Sequence, residues 1–128
     1  MTAAVGEQWS GDDWERFCRQ LLTQRYGTSY QPVPDRDRGD FGIDGFTSDG
    51  EVFQCYAAQD PLDDADLRKK QRAKITEDLK KLERNIGVVS QLTAPAMIIR
   101  WTLLVPRLVT KQILQHAASK ASALRKKG

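Results

Sequence analysis

One histidine, His116, and two cysteines, Cys18 and Cys55, are the only soft metal ligands in this chain apart from methionine. That set cannot build a zinc site from His and Cys, and the two cysteines lack metal-like spacing. Cys18 falls on an apolar helix face and Cys55 in a strand pattern, so both read as buried thiols of a reducing cytoplasm. No apolar run approaches membrane-spanning length, and no membrane partner is expected. The first residues, Met-Thr-Ala-Ala-Val-Gly-Glu, have neither a basic start nor an apolar stretch, so no signal peptide is expected. Internal repeats and low-complexity tracts are missing as well.

What is present suits one soluble domain with a single core, at 128 residues, 40% hydrophobic and 29% charged. A net charge of +3 and a pI near 9.0 bias it mildly toward polyanions, or serve solubility.

The densest pattern lies between Arg38 and Asp60. Phe41, Ile43 and Gly45 alternate with Gly42, Asp44 and Phe46, and Val52, Gln54 and Tyr56 alternate with Phe53, Cys55 and Ala57. Both runs have the period of two expected of strands. Ser48-Asp49-Gly50 between them suits a three-residue loop with Gly50 in the left-handed position. With that loop, Thr47 faces Glu51, and Asp44 lies opposite Gln54 on one face. A two-residue Asp49-Gly50 turn would shift the pairing and send Gln54 to the other face. By itself the segment also reads as an ordinary hairpin carrying a solvated aspartate.

Upstream, Ser10 is placed to cap a helix, Asp13 stands at its third position, and Trp9 and Trp14 have the spacing of a hydrophobic staple. Trp14, Phe17, Cys18, Leu21 and Leu22 form a stripe predicted to be buried, ending near Tyr26-Gly27. Glu15 lies at the edge of this stripe, about 90° from its centre at ~100° per residue. There it either reaches the sheet margin or faces solvent. Prolines hold Tyr30 to Pro34 extended, which predicts a short edge strand. In the following loop Arg36 and Arg38 stand beside Asp44, where they either meet a phosphate backbone or pair with Asp35 and Asp37.

Asp60-Pro61 has the pattern of a helix start, and the helix is predicted to run to Asn85-Ile86-Gly87 with Gly87 as its stop. Ile75, Leu79, Leu82 and Ile86, extended by Leu67, form its packing stripe. Lys74 lies on the flank of that stripe and Lys70 further out, while Lys80 and Lys81 read as surface charges. The apolar run Ala96 to Val105, bounded by Pro95 and Pro106, predicts a strand buried on both faces. Thr110 caps a last helix packed through Ile113, Leu114, Ala117, Ala121 and Leu124, ending in Arg125-Lys126-Lys127-Gly128. The chain stops there without a following strand, which reads as one domain, residues 1–128, taken from a longer protein.

The order helix, short strand, hairpin, helix, buried strand, helix resembles the PD-(D/E)XK nuclease superfamily from Trp9 to about Lys126. The chain is most similar to the Mrr-like restriction endonucleases, whose motif runs Glu in the first helix, Gly-x-Asp, then Gln-x-Lys. Here these positions hold Glu15, Gly42-Ile43-Asp44 and Gln54-Cys55-Tyr56, with Tyr56 in place of the motif lysine. The resemblance implies an α/β, restriction-endonuclease-like fold with a mixed central sheet flanked by three helices. It also implies Asp44 as principal ligand of Mg2+ or Mn2+, Glu15 as a ligand or water-mediated contact, and Gln54 as a neutral oxygen ligand. Such an ion polarises the scissile phosphate and lowers the pKa of an attacking water. Some superfamily members carry the lysine on the helix after the hairpin. By that likeness Lys74 is the first substitute and Lys70 the second, stabilising the charge that develops on phosphorus. Tyr56 would line the pocket, in reach of a phosphate or of the lysine.

The implied function is a cytoplasmic, metal-dependent DNA endonuclease, the effector of a restriction or phage-defence system. Further domains or subunits, or a second copy in a homodimer, are its expected partners beside DNA, whose phosphates Arg36 and Arg38 would meet. The missing lysine leaves a second reading, a nuclease-fold module that binds nucleic acid or protein without cutting.

Overall fold

A computed structural model of the chain describes residues 9–34, 41–59, 62–107 and 119–120. Arg36, Arg38, Asp60, Pro61 and nearly all of the expected last helix lie outside the described residues. Helix α1 spans Gly11–Tyr26, and the Ser10 side chain accepts from the Asp13 amide at 3.0 Å, as its sequence predicts. Trp9 and Trp14 close the expected staple with ring centroids 5.3 Å apart. Gly27 ends the helix at φ +60°. A single 3-10 turn, Gly27–Ser29, leads into β1, Tyr30–Pro32.

Strands β2 (Gly45–Thr47) and β3 (Glu51–Cys55) form the hairpin, with Gly45 paired to Phe53 and Phe46 to Val52. That register sets Thr47 opposite Glu51 across the three-residue loop, and Gly50 takes φ +97°. Two helices follow, α2 (Asp64–Arg84) and α3 (Ile86–Thr93), before β4 (Arg100–Leu104). The sheet order is β1-β2-β3-β4, with β4 parallel to β3 and the other pairs antiparallel. The architecture is therefore α/β, an open mixed sheet of four strands with three described helices.

Neighbouring β3 residues point to opposite faces, and this sorts the layers. Phe53 packs with Leu22 of α1 and with Tyr30, whereas Val52 packs with Ile75, Leu79 and Leu82 of α2. The α2 layer buries seven core side chains and the α1 layer three, among the described residues. At roughly 1.5–3 kcal/mol for each large aliphatic group, the α2 layer supplies most of the apolar stabilisation.

Several sequence expectations are corrected. α2 begins at Asp64 rather than at Asp60-Pro61, because the Asp63 carboxylate caps the Asp66 amide and Asp64 and Asp66 complement the helix dipole. It ends at Asn85 rather than at Gly87: the Asn85 side chain donates to the Lys81 carbonyl, and the chain restarts as α3 with Gly87 inside it. The break turns Ile86 out to 43% exposure and gives its core place to Val89, which is fully buried. Phe17 and Leu21 are likewise exposed, so the buried stripe of α1 is narrower than its spacing suggests. β4 is half-buried rather than buried on both faces, and Met97 and Ile99 before it are exposed. None of the helices among the described residues is long and apolar enough to cross a membrane.

Gly42 fixes the distance between layers. Its φ is +76°, and a Cβ there would lie 2.2 Å from the Asp78 carbonyl oxygen, so α2 docks directly on this backbone. Trp101 secures the same turn by donating its indole N–H to the Gly42 carbonyl at 3.1 Å. Gly42→Ala is expected to cost roughly 2–5 kcal/mol through combined strain and overpacking. Gly87→Ala, with nothing near its Cβ position, should instead gain about 0.5–1 kcal/mol, both read by urea unfolding.

Candidate functional site

The turn before β2 presents Asp44, and three backbone and side-chain bonds pin it. Its amide donates to the Phe53 carbonyl (2.6 Å), its carbonyl accepts from the Val33 amide (2.9 Å), and its carboxylate accepts from the Cys55 amide (2.7 Å). The carboxylate thus stands where a longer β2 would offer a strand acceptor. Asp44 is 8% exposed, so it is packed rather than a loosely held margin residue. Ile43 and Phe46, three residues apart, both pack against the α2 layer, so strict alternation breaks between them.

That break places Asp44 with an α1-side group and Gln54 with an α2-side group, so the two do not share the one face that the hairpin register predicts. Cys55 lies on the α1 side, in contact with Cys18 of α1. This contact, then burial, then the charges of Asp44 and Glu15 push the Cys55 thiol far above the ordinary thiol range. Burial, Cys55 and Asp44 likewise raise the Tyr30 hydroxyl. Asp44 and Glu15 therefore act on one neighbourhood, although Glu15 also stands 3.9 Å from Arg19. Both cysteines are free thiols.

Gln54 points to the α2 layer and is 5% exposed. Its neighbour there is Asp78, a residue outside every sequence motif and without solvent exposure. The Lys74 amine stands 3.2 Å from Asp78 Oδ2 and 5.5 Å from the centre of the Tyr56 ring. Burial raises the Asp78 carboxyl above the usual carboxylate range, while Lys74, then Lys81 and Gln54, act in the other direction. Lys74 and Gln54 are close enough to favour the charged form, yet neither gives Asp78 a well-aligned hydrogen bond. Both carboxylate oxygens and Gln54 Oε1 are buried without an aligned donor.

Lys74, expected to serve the face with Asp44 and Gln54, thus engages Asp78 and the Tyr56 ring instead. Lys74 is only 22% exposed, whereas Lys70 and Lys80 are exposed on the outer face of α2, and Lys81 pairs with Glu77 at 3.0 Å. Burial, then Glu77 and Asp78, raise the Tyr56 hydroxyl, so it stays protonated and able to donate near neutral pH. The signal for Asp78 is its helical position: three residues after Ile75 and four before Leu82, inside the buried stripe and four after Lys74.

A hard divalent cation needs oxygen ligands, and it commonly takes one or two from protein with the remainder from water and phosphate. Among the described residues no three Asp, Glu, His or Cys side chains gather into a metal-holding group. Such a cation would find the Asp44 carboxylate, with Glu15 in the same neighbourhood, whereas Gln54 Oε1 is buried on the α2 side.

Two stability outcomes follow from Asp78. Lys74→Ala leaves a buried carboxylate without its cation and should cost on the order of 3 kcal/mol. Lys81→Ala should cost only a few tenths, as for exposed helix pairs. Because the folded Asp78 carboxyl titrates above its unfolded value of ~3.9, folding binds extra protons between the two values and stability falls as pH rises through that window. Asp78→Asn should therefore be more stable than the parent at pH 7, with the difference closing below about pH 4, measured by denaturant unfolding.

Comparison with protein-family models, with curated proteins and with solved structures returned no match to this chain, so the reading of the site rests on its own geometry.

Proposed function

We propose that this chain is a metal-dependent DNA endonuclease domain of restriction-endonuclease type, hydrolysing phosphodiester bonds. The observation that carries the reading is the Asp44 carboxylate, held by the Cys55 amide at the end of the hairpin with Glu15 in the same neighbourhood. The layout agrees with the resemblance in the sequence: a helix, a three-strand antiparallel meander, a helical crossover and a parallel strand. Asp44 would hold Mg2+ or Mn2+, with Glu15 as an outer contact, while Gln54, expected as a neutral ligand, faces the α2 layer. When bound, the ion supplies Lewis acidity toward the phosphate and acidifies an attacking water. Asp44 contributes negative charge at a fixed place because the Cys55 amide holds one of its oxygens. Lys74 brings a cation beside the Tyr56 ring and Asp78, in place of the motif lysine, and the Tyr56 hydroxyl is a donor beside it.

DNA is the proposed substrate, met first by basic side chains such as Lys69, Lys70, Arg72 and Lys80 on the exposed face of α2. A role in restriction or phage defence, with partner domains, subunits or a second copy, belongs to the same proposal. One observation favours the second reading, a module that binds without cutting: the Lys74 amine is engaged by Asp78.

Plasmid DNA incubated with the protein should be nicked or linearised with Mg2+ or Mn2+ and left intact with chelator. Asp44→Asn keeps an acceptor for the Cys55 amide, so it should retain the fold while losing cleavage by roughly 100-fold or more, on the order seen for loss of a key electrostatic group. Binding of either protein to DNA should weaken steeply with salt, in proportion to the phosphates neutralised. Undiminished cutting by Asp44→Asn would place the chemistry elsewhere. Salt-dependent binding without any cutting would favour the second reading.

A further inference from the structure

Two thiols on different elements lie outside the chemistry proposed above, and the packing of α1 on the sheet sets them face to face. Trp14, Cys18 and Leu22 stand four residues apart and so form one row along α1. Phe53 and Cys55, two residues apart on β3, share the sheet face that looks at this row. The row is anchored on each side of Cys18. Leu22 packs with Phe53, and the Trp14 indole donates at 2.9 Å to the carbonyl of Leu104, the β4 residue in register with Cys55. Cys18 therefore lies over Cys55, and the two are in contact. Both are free thiols, Cys18 only 1% exposed and Cys55 half-buried.

We propose that Cys18 and Cys55 are an oxidation site, a dithiol that peroxide converts to an intramolecular disulfide joining α1 to β3. Cys55, the more exposed of the two, meets the oxidant. Its sulfur takes one oxygen from hydrogen peroxide to give a sulfenic acid, and the other oxygen leaves as water. The Cys18 sulfur then attacks the Cys55 sulfur; the S–O bond breaks, the S–S bond forms, and the hydroxyl leaves with the Cys18 proton as a second water. Two thiols are oxidised and one peroxide is reduced. Because Cys18 is buried against Cys55, it is shielded from the oxidant yet in place to capture the sulfenic acid before a second oxygen is added. The Cys18 contact, burial and the carboxylates of Asp44 and Glu15 hold the Cys55 proton in place, so the reaction is slow, on the order of minutes to hours. In a reducing compartment the dithiol is then the resting form and the bond a transient one. Once formed, the bond fixes α1, with Glu15 three residues before Cys18, against the strand whose Cys55 amide holds the Asp44 carboxylate.

The test is intact-mass measurement and peptide mapping of the full chain after hydrogen peroxide, with remaining thiols alkylated in denaturant. The expected product loses one hydrogen from each cysteine, stays a single chain, and yields a linked Cys18–Cys55 peptide that dithiothreitol separates. Closing a loop of roughly 40 residues should raise the thermal midpoint by roughly 10 °C, a gain that dithiothreitol reverses. Cys18→Ser should instead accumulate sulfenic and sulfinic acid at Cys55, with no rise. Mapping of the parent needs no variant and decides even if Cys18→Ser folds poorly. Oxygen added at Cys55 of the parent with Cys18 still free, or a cross-link between two chains, overturns the proposal. So do two thiols that stay untouched in the folded protein but react in urea. None of these readouts uses nuclease activity, so the outcome is separate from that of the nuclease reading.

Discussion

A carboxylate without solvent exposure, placed between a helix and a sheet, is the constraint on which the polar half of this structure depends. Asp78 sits in a layer otherwise filled by Ile75, Leu79, Leu82 and Val52. Burying a charge there is costly unless it is paired, and replacing such pairs by apolar residues is often neutral or stabilising. Stability alone therefore does not account for it. What Asp78 does is hold Lys74 inward and face Gln54, joining side chains from two different elements on the α2 side of the sheet.

The backbone transmits that placement. Gly42 lets α2 approach to the point where no side chain would fit, Trp101 of β4 clamps the same turn, and Asp44 stands two residues on with its carboxylate on the Cys55 amide. On the opposite face α1 is tied to the sheet by the Trp14 indole, which donates to the Leu104 carbonyl at 2.9 Å. Elements distant in sequence thus converge on the end of β2 and β3, where the sheet is short of a strand acceptor and a side chain supplies one. A site that needs its ligands within a fraction of an ångström gains from scaffold positions of this kind more than from loops.

Much of the fold was legible because its signals are local. The Ser10 cap, the Trp9–Trp14 staple, the three-residue Ser48-Asp49-Gly50 loop and the edge strand at Tyr30 each depend on a few adjacent residues. The register of the hairpin followed from loop length alone. What was not legible depends on contacts between elements. Asn85 outcompetes Gly87 as the helix break because its side chain bonds back to Lys81, which propensity does not reveal. The departure from alternation at Asp44 arises from its bonds to Val33 and Phe53, one on each side. Asp78 was hidden among the many charges of α2, since a single polar residue in an apolar stripe becomes visible only when the facing strand is known. The sequence directed Lys74 toward Asp44 and Gln54, and the buried carboxylate that engages it instead was not legible.

The most direct measurement is the anomalous scattering of a crystal grown with Mn2+ and a short DNA duplex. The account predicts a manganese peak in coordination contact with the Asp44 carboxylate, with a phosphate oxygen in its shell. A complex with DNA in place, Mn2+ in the medium and no peak at this carboxylate would contradict it.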